Sequence, residues 1–324
     1  MLDNLNTTMN ETHEQPSNCS SDPTAEKIGK TFAYCLVFLV SLVGNTVIGI
    51  IVYKTKTMRK PINLLIVNMA MSDLLYTIFW FPSEVQKLYI DSWLIGGPLG
   101  QALCKLVHFL TDVSLAVSIQ SLLLIAVGRF RAVVYPLRSP LVSSKLCPFF
   151  ILVTWILAMA SHSSYLFAIG YKLVEYQGRL VCRWHWKEAF RKSSSFESYI
   201  LSVSLVGVFA PLVVIAILYI IIFFKLKSQR SPGEQSANAG QQRQQRERNV
   251  LKMSIAIVLG FAVCLLPFAI GWLLSIFASG IRSCGFQYFT IVARFTIRAN
   301  CAINPCICFI FSKNYREGLK TLFS

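Results

Sequence analysis

The sequence predicts an all-α membrane protein, a bundle of seven transmembrane helices followed by a short amphipathic helix. Of its 324 residues, 54% are hydrophobic and 14% are charged, which is typical of membrane proteins and too apolar for a soluble enzyme. A helix needs about 20 mostly apolar residues to cross a bilayer, and seven stretches of the sequence are long enough. No fixed period repeats, which argues against a solenoid. The predicted spans are 31–53, 62–86, 102–134, 147–170, 199–225, 249–277 and 286–311.

The region before the first span, 1–30, is polar and lacks the apolar core of a cleavable signal. It carries three clustered N-glycosylation sequons, at Asn6, Asn10 and Asn18. Together they predict a glycosylated extracellular tail. The first inner loop is basic and contains Lys54, Lys56, Arg59 and Lys60. This fits the positive-inside rule for a protein with an extracellular N-terminus and an odd number of crossings. We therefore expect a multi-pass protein of the plasma membrane.

The net charge of +16 would also suit a nucleic-acid-binding protein. We expect no nucleic acid, because much of the basic charge lies beside apolar spans. The predicted outer segment 171–198 departs from the positive-inside rule with six basic residues, Lys172, Arg179, Arg183, Lys187, Arg191 and Lys192. The rule is a bias and tolerates this. The excess positive charge also favours an acidic partner outside the cell.

The ten cysteines fall into two groups. Six lie in or beside spans and are expected to be reduced, namely Cys35, Cys147, Cys264, Cys301, Cys306 and Cys308. Four lie on the oxidising outer side and allow two bridges, namely Cys19, Cys104, Cys182 and Cys284. Cysteine positions alone do not give the pairing. The close spacing of Cys306 and Cys308, with no histidine near them, predicts no zinc site.

Several polar residues lie inside the apolar spans, where they are costly and usually face the bundle interior. Asp73 is near the centre of the second span, Ser118 is in the third, and Asn300 and Asn304 are in the seventh. One interpretation is a set of hydrogen bonds between helices, which composition alone favours. The other is a site for a small hard cation, which prefers oxygen ligands.

The third span carries one polar stripe along its whole length. At about 100° per residue, Cys104, Thr111, Ser118 and Arg129 share a helix face. The stripe begins at the outer end with a cysteine and ends at the inner end with an arginine. This pattern is typical of a helix that links an outer pocket to an inner surface.

These spans and landmarks, in this order, resemble the rhodopsin-like (class A) family of G-protein-coupled receptors, most closely its neuropeptide-receptor branch. The resemblance covers about residues 31–323. The chain ends in a predicted amphipathic cytoplasmic helix and short tail, 312–324, with the aromatic-basic pair Tyr315-Arg316. Each landmark is weak by itself, but their order and spacing are specific: Gly44-Asn45, Asp73, Trp93, Cys104, Trp155, Pro211, Tyr219, Phe261, Cys264, Pro267 and Asn304-Pro305.

The resemblance implies a receptor that promotes nucleotide exchange on a heterotrimeric G protein and is not itself an enzyme. It assigns an activation switch to Arg129, Tyr219, Glu247, Phe261, Pro267, Asn304 and Pro305. Arg129 would be tethered at rest and would swing toward the G protein and Tyr219 on activation. The resemblance also implies an allosteric sodium ion and no other cofactor, with the ion held by Asp73, Ser118, Asn300 and Asn304.

Four positions depart from the family pattern. Gly128 stands where an acid normally neutralises Arg129, and Leu265 stands where the sixth span has tryptophan. Cys308 replaces the tyrosine of the Asn-Pro-x-x-Tyr motif, and Cys301 replaces a frequent serine of the sodium site. With Glu247 as the remaining tether for Arg129, we expect raised basal activity.

The segment YKLVEYQGRLVCRW predicts a β-hairpin that turns at Gln177-Gly178. In peptide receptors of this family such a hairpin covers a wide pocket, and Cys182 would be bonded to Cys104. A second bridge, Cys19 to Cys284, remains open. On the inner side, the loop before the sixth span is expected to be a flexible hinge that begins at the helix-breaking Ser231-Pro232-Gly233.

The resemblance places seven candidate ligand contacts in the outer pocket: Glu84, Lys105, His108, Thr111, Asp112, Arg294 and Arg298. Thr111 stands where amine receptors have aspartate, and Arg298 stands at the retinal-binding lysine, which argues against both ligands. Arg294 and Arg298 are four residues apart and share a face. Either they pair with Glu84 and Asp112, or one arginine binds a carboxylate of an acidic peptide.

Three other functions remain open for the chain. It could be a receptor of the same fold for a small carboxylate or lipid, a constitutively active receptor, or a transporter or channel. The last is disfavoured, because transporters usually show paired repeats and broken helices, and neither pattern is found in the sequence.

Overall fold

In the computed structural model, the described residues are 23–90, 92–138, 141–166, 171–184, 198–199, 201–203, 205–228, 238–277 and 283–323. Eight α-helices are described there: α1 Pro23–Lys54, α2 Pro61–Tyr89, α3 Gly97–Val134, α4 Cys147–His162, α5 Ala210–Ser228, α6 Asn238–Phe277, α7 Cys284–Phe311 and α8 Lys313–Phe323. Two strands, β1 Tyr171–Tyr176 and β2 Arg179–Trp184, lie between α4 and α5.

The helices form the predicted seven-helix bundle. Among the described residues, six helical segments are long and apolar enough to cross a membrane. Four of them lie within α1, α2, α3 and α6, one is α4 extended to Tyr165, and one is α5 together with the residues from Leu201. Helix α7 passes the same test when it is taken with α8, and the two are bent by 96° at their junction. Two arginines and two asparagines make α7 less apolar than the other spans, namely Arg294, Arg298, Asn300 and Asn304. The predicted fold class and the short helix after the seventh span are confirmed.

Several helix ends differ from the predicted span limits, because a helix can continue into polar sequence or end before the apolar segment does. Helix α1 begins at Pro23, inside the stretch predicted to be tail. Helix α4 ends at His162 and is followed by the short 3₁₀ turn Ser163–Tyr165, before the predicted end of the span. Helix α6 begins at Asn238, so much of the loop predicted to be a flexible hinge is helical. The predicted helix break at Ser231-Pro232-Gly233 lies outside the described residues.

Helix α3 lies at the centre of the bundle and packs against α2, α4, α5 and α6. Its Leu122 and Ala126 are fully buried in the main apolar core, together with Phe261 of α6 and Ile215 of α5. Helices α1 and α7 approach closely at Gly44, where an added Cβ would lie 2.6 Å from the Cβ of Pro305. This contact explains why the first helix needs glycine at that position.

The strands β1 and β2 form the predicted antiparallel hairpin, in which Tyr176 pairs with Arg179. Gln177 and Gly178 have φ values of 51° and 72°, as a tight hairpin turn requires. Cys182 of β2 is disulfide-bonded to Cys104 of α3. The hairpin is therefore fixed covalently to the outer end of the central helix.

Helix α8 lies against the inner end of the bundle. Tyr315, Leu319 and Leu322 pack into the main core, while the basic side chains on the opposite face are exposed. An added Cβ at Gly318 would lie 2.5 Å from Ile51 of α1, so glycine allows the two helices to touch. Arg316 donates to the carbonyl oxygens of Phe309 and Ile310 at the end of α7. These contacts stabilise the sharp bend between α7 and α8.

Candidate functional site

Around the middle of α2 the fold brings together the residues expected to bind sodium. The Asp73 carboxylate is almost fully buried and accepts hydrogen bonds from Asn304 Nδ2 at 2.9 Å and from Ser118 Oγ at 3.4 Å. Ser118 also lies 2.7 Å from the Ser72 hydroxyl. Three of the four predicted residues thus meet around one carboxylate, and they come from α2, α3 and α7.

The fourth predicted residue, Asn300, lines the same small cavity. The cavity is bounded by Asp73, Tyr76, Ser114, Leu115, Ser118, Ile297, Asn300 and Cys301. The Oδ1 atoms of Asn300 and Asn304 are buried and accept no hydrogen bond from any described residue. A carboxylate beside two unpartnered amide oxygens is a donor set that suits a hard cation such as sodium.

A second polar cluster ties α1 to this region, and sequence analysis did not assign it. Ser41 Oγ lies 2.6 Å from Thr77 Oγ1, and Thr77 donates to the Asp73 carbonyl at 2.6 Å. Asn45 Nδ2 donates to the Cys301 carbonyl at 2.9 Å. A polar residue in each apolar span was the available signal, but sequence alone does not show which of them face one another.

The outer pocket contains a buried ion pair between α2 and α7. The Arg298 guanidinium lies 2.8 Å from the Glu84 carboxylate, and the two side chains are 18% and 11% exposed. The same guanidinium lies over the rings of Tyr34 and Trp80, at 5.9 Å and 5.4 Å from their centroids. Lys87 reaches the Glu84 carboxylate at 3.1 Å from a more exposed position. Of the two alternatives, the structure thus shows an ion pair at Arg298.

The sequence left open whether Asp112 pairs with Arg294 or Arg298. Within the described part of the chain, Asp112 forms no ion pair with Arg294 or Arg298, and its carboxylate lies near Tyr165. The 100° turn from Thr111 directs Asp112 toward the end of α4, away from α7. Arg294 is exposed and makes no hydrogen bond or ion pair with any described residue.

Three further pocket candidates are held by local contacts on α3. The His108 ring stacks on Tyr171 of the hairpin, with centroids 3.7 Å apart, and its Nδ1 lies 2.9 Å from the Cys104 carbonyl oxygen. Lys105 donates to the Leu166 carbonyl at 3.0 Å. Thr111 donates to the carbonyl of Val107 in its own helix at 2.6 Å. His108 thus connects the hairpin to α3, and Lys105 connects the segment after α4 to α3.

The inner end of α3 carries the predicted switch. Arg129 is half-buried and lies within electrostatic reach of Tyr219 on α5. The Tyr219 hydroxyl has no hydrogen-bond partner among the described residues, and the nearby Ser254 hydroxyl donates to the Val250 carbonyl at 2.9 Å. Glu247 belongs to α6, but its side chain lies outside the described set. Its pairing with Arg129 therefore stays a prediction.

The other predicted switch residues lie in the interior of α6 and α7. Phe261 is fully buried in the main core, and Leu265 packs in the same core one turn later. Pro267 lies inside α6, and Pro305 lies inside α7 directly after Asn304. The structure thus connects the carboxylate cavity to the inner ends of α6 and α7 through packed side chains.

On the outer side, Cys284 at the start of α7 is disulfide-bonded. Cys19, the partner considered above, lies outside the described residues, as do the sequons at Asn6, Asn10 and Asn18. The six cysteines expected to be reduced are all free.

Residues 44–307 match the sequence pattern of the 7 transmembrane receptor (rhodopsin family). The chain belongs to this family. It is similar to neuropeptide Y receptor type 1 of Xenopus laevis, with 30% identity over 301 residues that cover 90% of this chain and 80% of that receptor. It is also 28% identical to a QRFP-like peptide receptor of Branchiostoma floridae over 306 residues, or 93% and 78% of the two chains. The RYamide receptor of Drosophila melanogaster is 27% identical over 329 residues, or 98% and 69%.

The structure shows the surroundings of three positions at which the chain departs from the family pattern, namely Gly128, Leu265 and Cys308. At Gly128 of this rhodopsin-family receptor, an added Cβ would meet nothing within 4 Å. Packing around the Cβ position therefore does not require glycine there. Cys308 is fully buried in the main core, and so is Leu265. The receptor thus keeps the core closed at these two positions with side chains smaller than tyrosine and tryptophan.

Proposed function

We propose that this receptor binds a peptide at its outer face and promotes nucleotide exchange on a heterotrimeric G protein at its inner face. The observation that carries the proposal is similarity along at least 90% of the chain to three receptors whose names specify peptides. The hairpin supports it, because its disulfide holds it at the outer end of α3. The N-terminus is proposed to be extracellular and glycosylated, in the plasma membrane, with membrane lipids around the bundle.

A screen in cells tests this proposal. Cells expressing the receptor would be exposed to neuropeptide Y, neuropeptide FF, QRFP and RYamide peptides and to a pooled library of acidic peptides, and G-protein activation would be recorded. We expect at least one peptide to activate. A response only to small carboxylates or lipids, with the receptor present at the surface, would contradict the peptide assignment.

The chemistry of the pocket favours a ligand with a carboxylate. Arg298 is already neutralised by Glu84, whereas Arg294, one turn closer to the outer end, is exposed and unpaired within the described residues. An arginine in this position binds a carboxylate with two parallel hydrogen bonds. Arg294→Gln should weaken an acidic peptide about tenfold or more and leave its amidated or neutral analogue unchanged, and Arg294→Lys should retain part of the affinity. Equal losses for both peptides would contradict a carboxylate contact.

A sodium ion is proposed beside Asp73, with Ser118, Asn300 and Asn304 as further oxygen ligands. Support comes from the two unpartnered amide oxygens around a buried carboxylate. In the sodium-bound receptor, Asp73 would hold the ion and stabilise the resting arrangement of α2, α3 and α7. We expect sodium, compared with potassium at equal ionic strength, to reduce agonist affinity and raise the unfolding temperature. Asp73→Asn should abolish both effects.

Cys301 provides a matched control for the sodium site. It lines the cavity, and Cys301→Ser would exchange a soft sulfur for a hard oxygen with little change in size. This variant should increase the sodium effect that Asp73→Asn removes. If sodium and potassium give equal unfolding temperatures for the native receptor, the site does not bind sodium.

The glycine before Arg129 predicts raised basal activity. Gly128→Asp should lower basal signalling severalfold, because a carboxylate beside Arg129 would stabilise the resting state by about 1 kcal/mol. A Cβ added at Gly128 would meet nothing within 4 Å. Gly128→Asn has the same shape without the charge and serves as the control. Equal basal signalling from the Asp and Asn variants would contradict the electrostatic explanation.

A further inference from the structure

Tyr315, in the first turn of α8, is one of the most deeply buried large side chains of the receptor. It is 1% exposed and packs in the main core with Ile51 of α1 and Cys308 of α7. Its ring meets Phe309 edge to face, with centroids 6.4 Å apart. A side chain from a surface helix therefore fills space inside the inner half of the bundle.

The hydroxyl of this tyrosine has no hydrogen-bond partner within the described part of the chain. Burial also raises the pKa of Tyr315, so the group remains a neutral hydroxyl. A buried hydroxyl without a partner destabilises the conformation that contains it, and phenylalanine would fill the same space without that cost. Packing alone therefore does not explain the hydroxyl.

Cys308, which lies close to Tyr315, stands where the Asn-Pro-x-x-Tyr motif of the family has a tyrosine. Its thiol is fully buried and is near enough to Tyr315 to affect it electrostatically. A thiol is a weak hydrogen-bond donor and cannot replace a phenolic hydroxyl. The inner end of α7 has thus lost a hydroxyl, and an unpaired hydroxyl from α8 is buried beside the same position.

We propose that Tyr315 supplies from α8 the hydroxyl that position 308 lacks, and that it acts as a positioning residue in G-protein activation. In the conformation described here the hydroxyl is unpaired, which disfavours this conformation. When the inner end of α7 moves, the hydroxyl gains a partner, which favours the G-protein-activating conformation. The inference rests on the proposed G-protein function.

Tyr315→Phe removes the hydroxyl and keeps the ring. We expect the purified receptor to unfold about 2–4 °C higher, since an unpaired buried group is gone. Basal nucleotide exchange on the G protein should fall severalfold, because the active state loses its hydrogen bond. Cys308→Tyr in the Tyr315→Phe background returns a hydroxyl to the family position and should restore exchange. A merely structural role for Tyr315 would not be rescued in this way.

Each outcome decides between the alternatives. A lower unfolding temperature for Tyr315→Phe, or unchanged exchange, would overturn the inference while the native receptor still activates the G protein. If the double variant does not fold, the unfolding temperature and the nucleotide exchange of Tyr315→Phe decide the question by themselves. If the native receptor promotes no exchange at all, the proposed function fails and this inference fails with it.

Discussion

Glu84→Leu should destabilise the receptor more than any other single change in the outer pocket. Among the described residues, the substitution leaves the mostly buried Arg298 guanidinium with the Tyr34 hydroxyl, at 3.4 Å, and two aromatic rings as its remaining partners. Removing one partner of a buried ion pair costs about 3–5 kcal/mol, because the other charge remains without compensation. We expect a large fall in the unfolding temperature of the purified receptor and in surface expression.

The reverse substitution, Arg298→Leu, should cost less. Lys87 lies 3.1 Å from the Glu84 carboxylate and can still neutralise it. The double variant Glu84→Leu/Arg298→Leu should recover much of the loss, since two apolar side chains replace a buried pair at little cost. Lys87→Leu is the matched control, because this half-exposed lysine should contribute about 0–1 kcal/mol. Additive losses in the double variant would show that the two residues do not act as a pair.

Breaking the bridge between Cys104 and Cys182 should also strongly lower the stability of the receptor and its affinity for peptide. The bridge closes a segment of 78 residues between the outer end of α3 and the hairpin. A disulfide across a loop of this size stabilises by about 2–4 kcal/mol, mainly by restricting the unfolded chain. Cys182→Ser should therefore lower the unfolding temperature, and the freed hairpin should weaken peptide binding further.

Cys35→Ser provides the control for that experiment. Cys35 is a free cysteine in α1, and its replacement removes a thiol without breaking a bridge. The Cys104→Ser/Cys182→Ser double variant should match Cys182→Ser, because one bridge is lost in each. If the hairpin variant binds peptide as tightly as the native receptor, the hairpin does not shape the pocket.

Local patterns in the sequence were sufficient for much of the fold. The spans are predictable because a continuous run of about 20 apolar residues matches the thickness of the bilayer core when it is helical. The hairpin is predictable because Gln177-Gly178 lies between two alternating segments and adopts the positive φ values that a tight turn needs. The ends of the helices were harder to predict, since α6 continues to Asn238 through polar residues that carry no apolar signal.

The candidate site was less predictable, because its pairings depend on the rotation of each helix. Sequence identified Glu84, Asp112 and Arg298 as pocket residues but left their pairing open. The structure pairs Arg298 with Glu84 and turns Asp112 toward Tyr165. The unpaired hydroxyl of Tyr315 also had no sequence signal, because a tyrosine in an amphipathic helix is expected to keep its hydroxyl at the interface.

Nucleotide exchange on a purified heterotrimeric G protein tests the central claim most directly. The native receptor and Arg129→Ala would be compared in lipid nanodiscs, each with and without an activating peptide from the screen. We expect basal exchange from the native receptor, a further increase with peptide, and loss of both in the Arg129→Ala variant with its unfolding temperature largely unchanged. No exchange by a folded native receptor, or equal exchange by the Arg129→Ala variant, would contradict a G-protein-coupling role for this inner face.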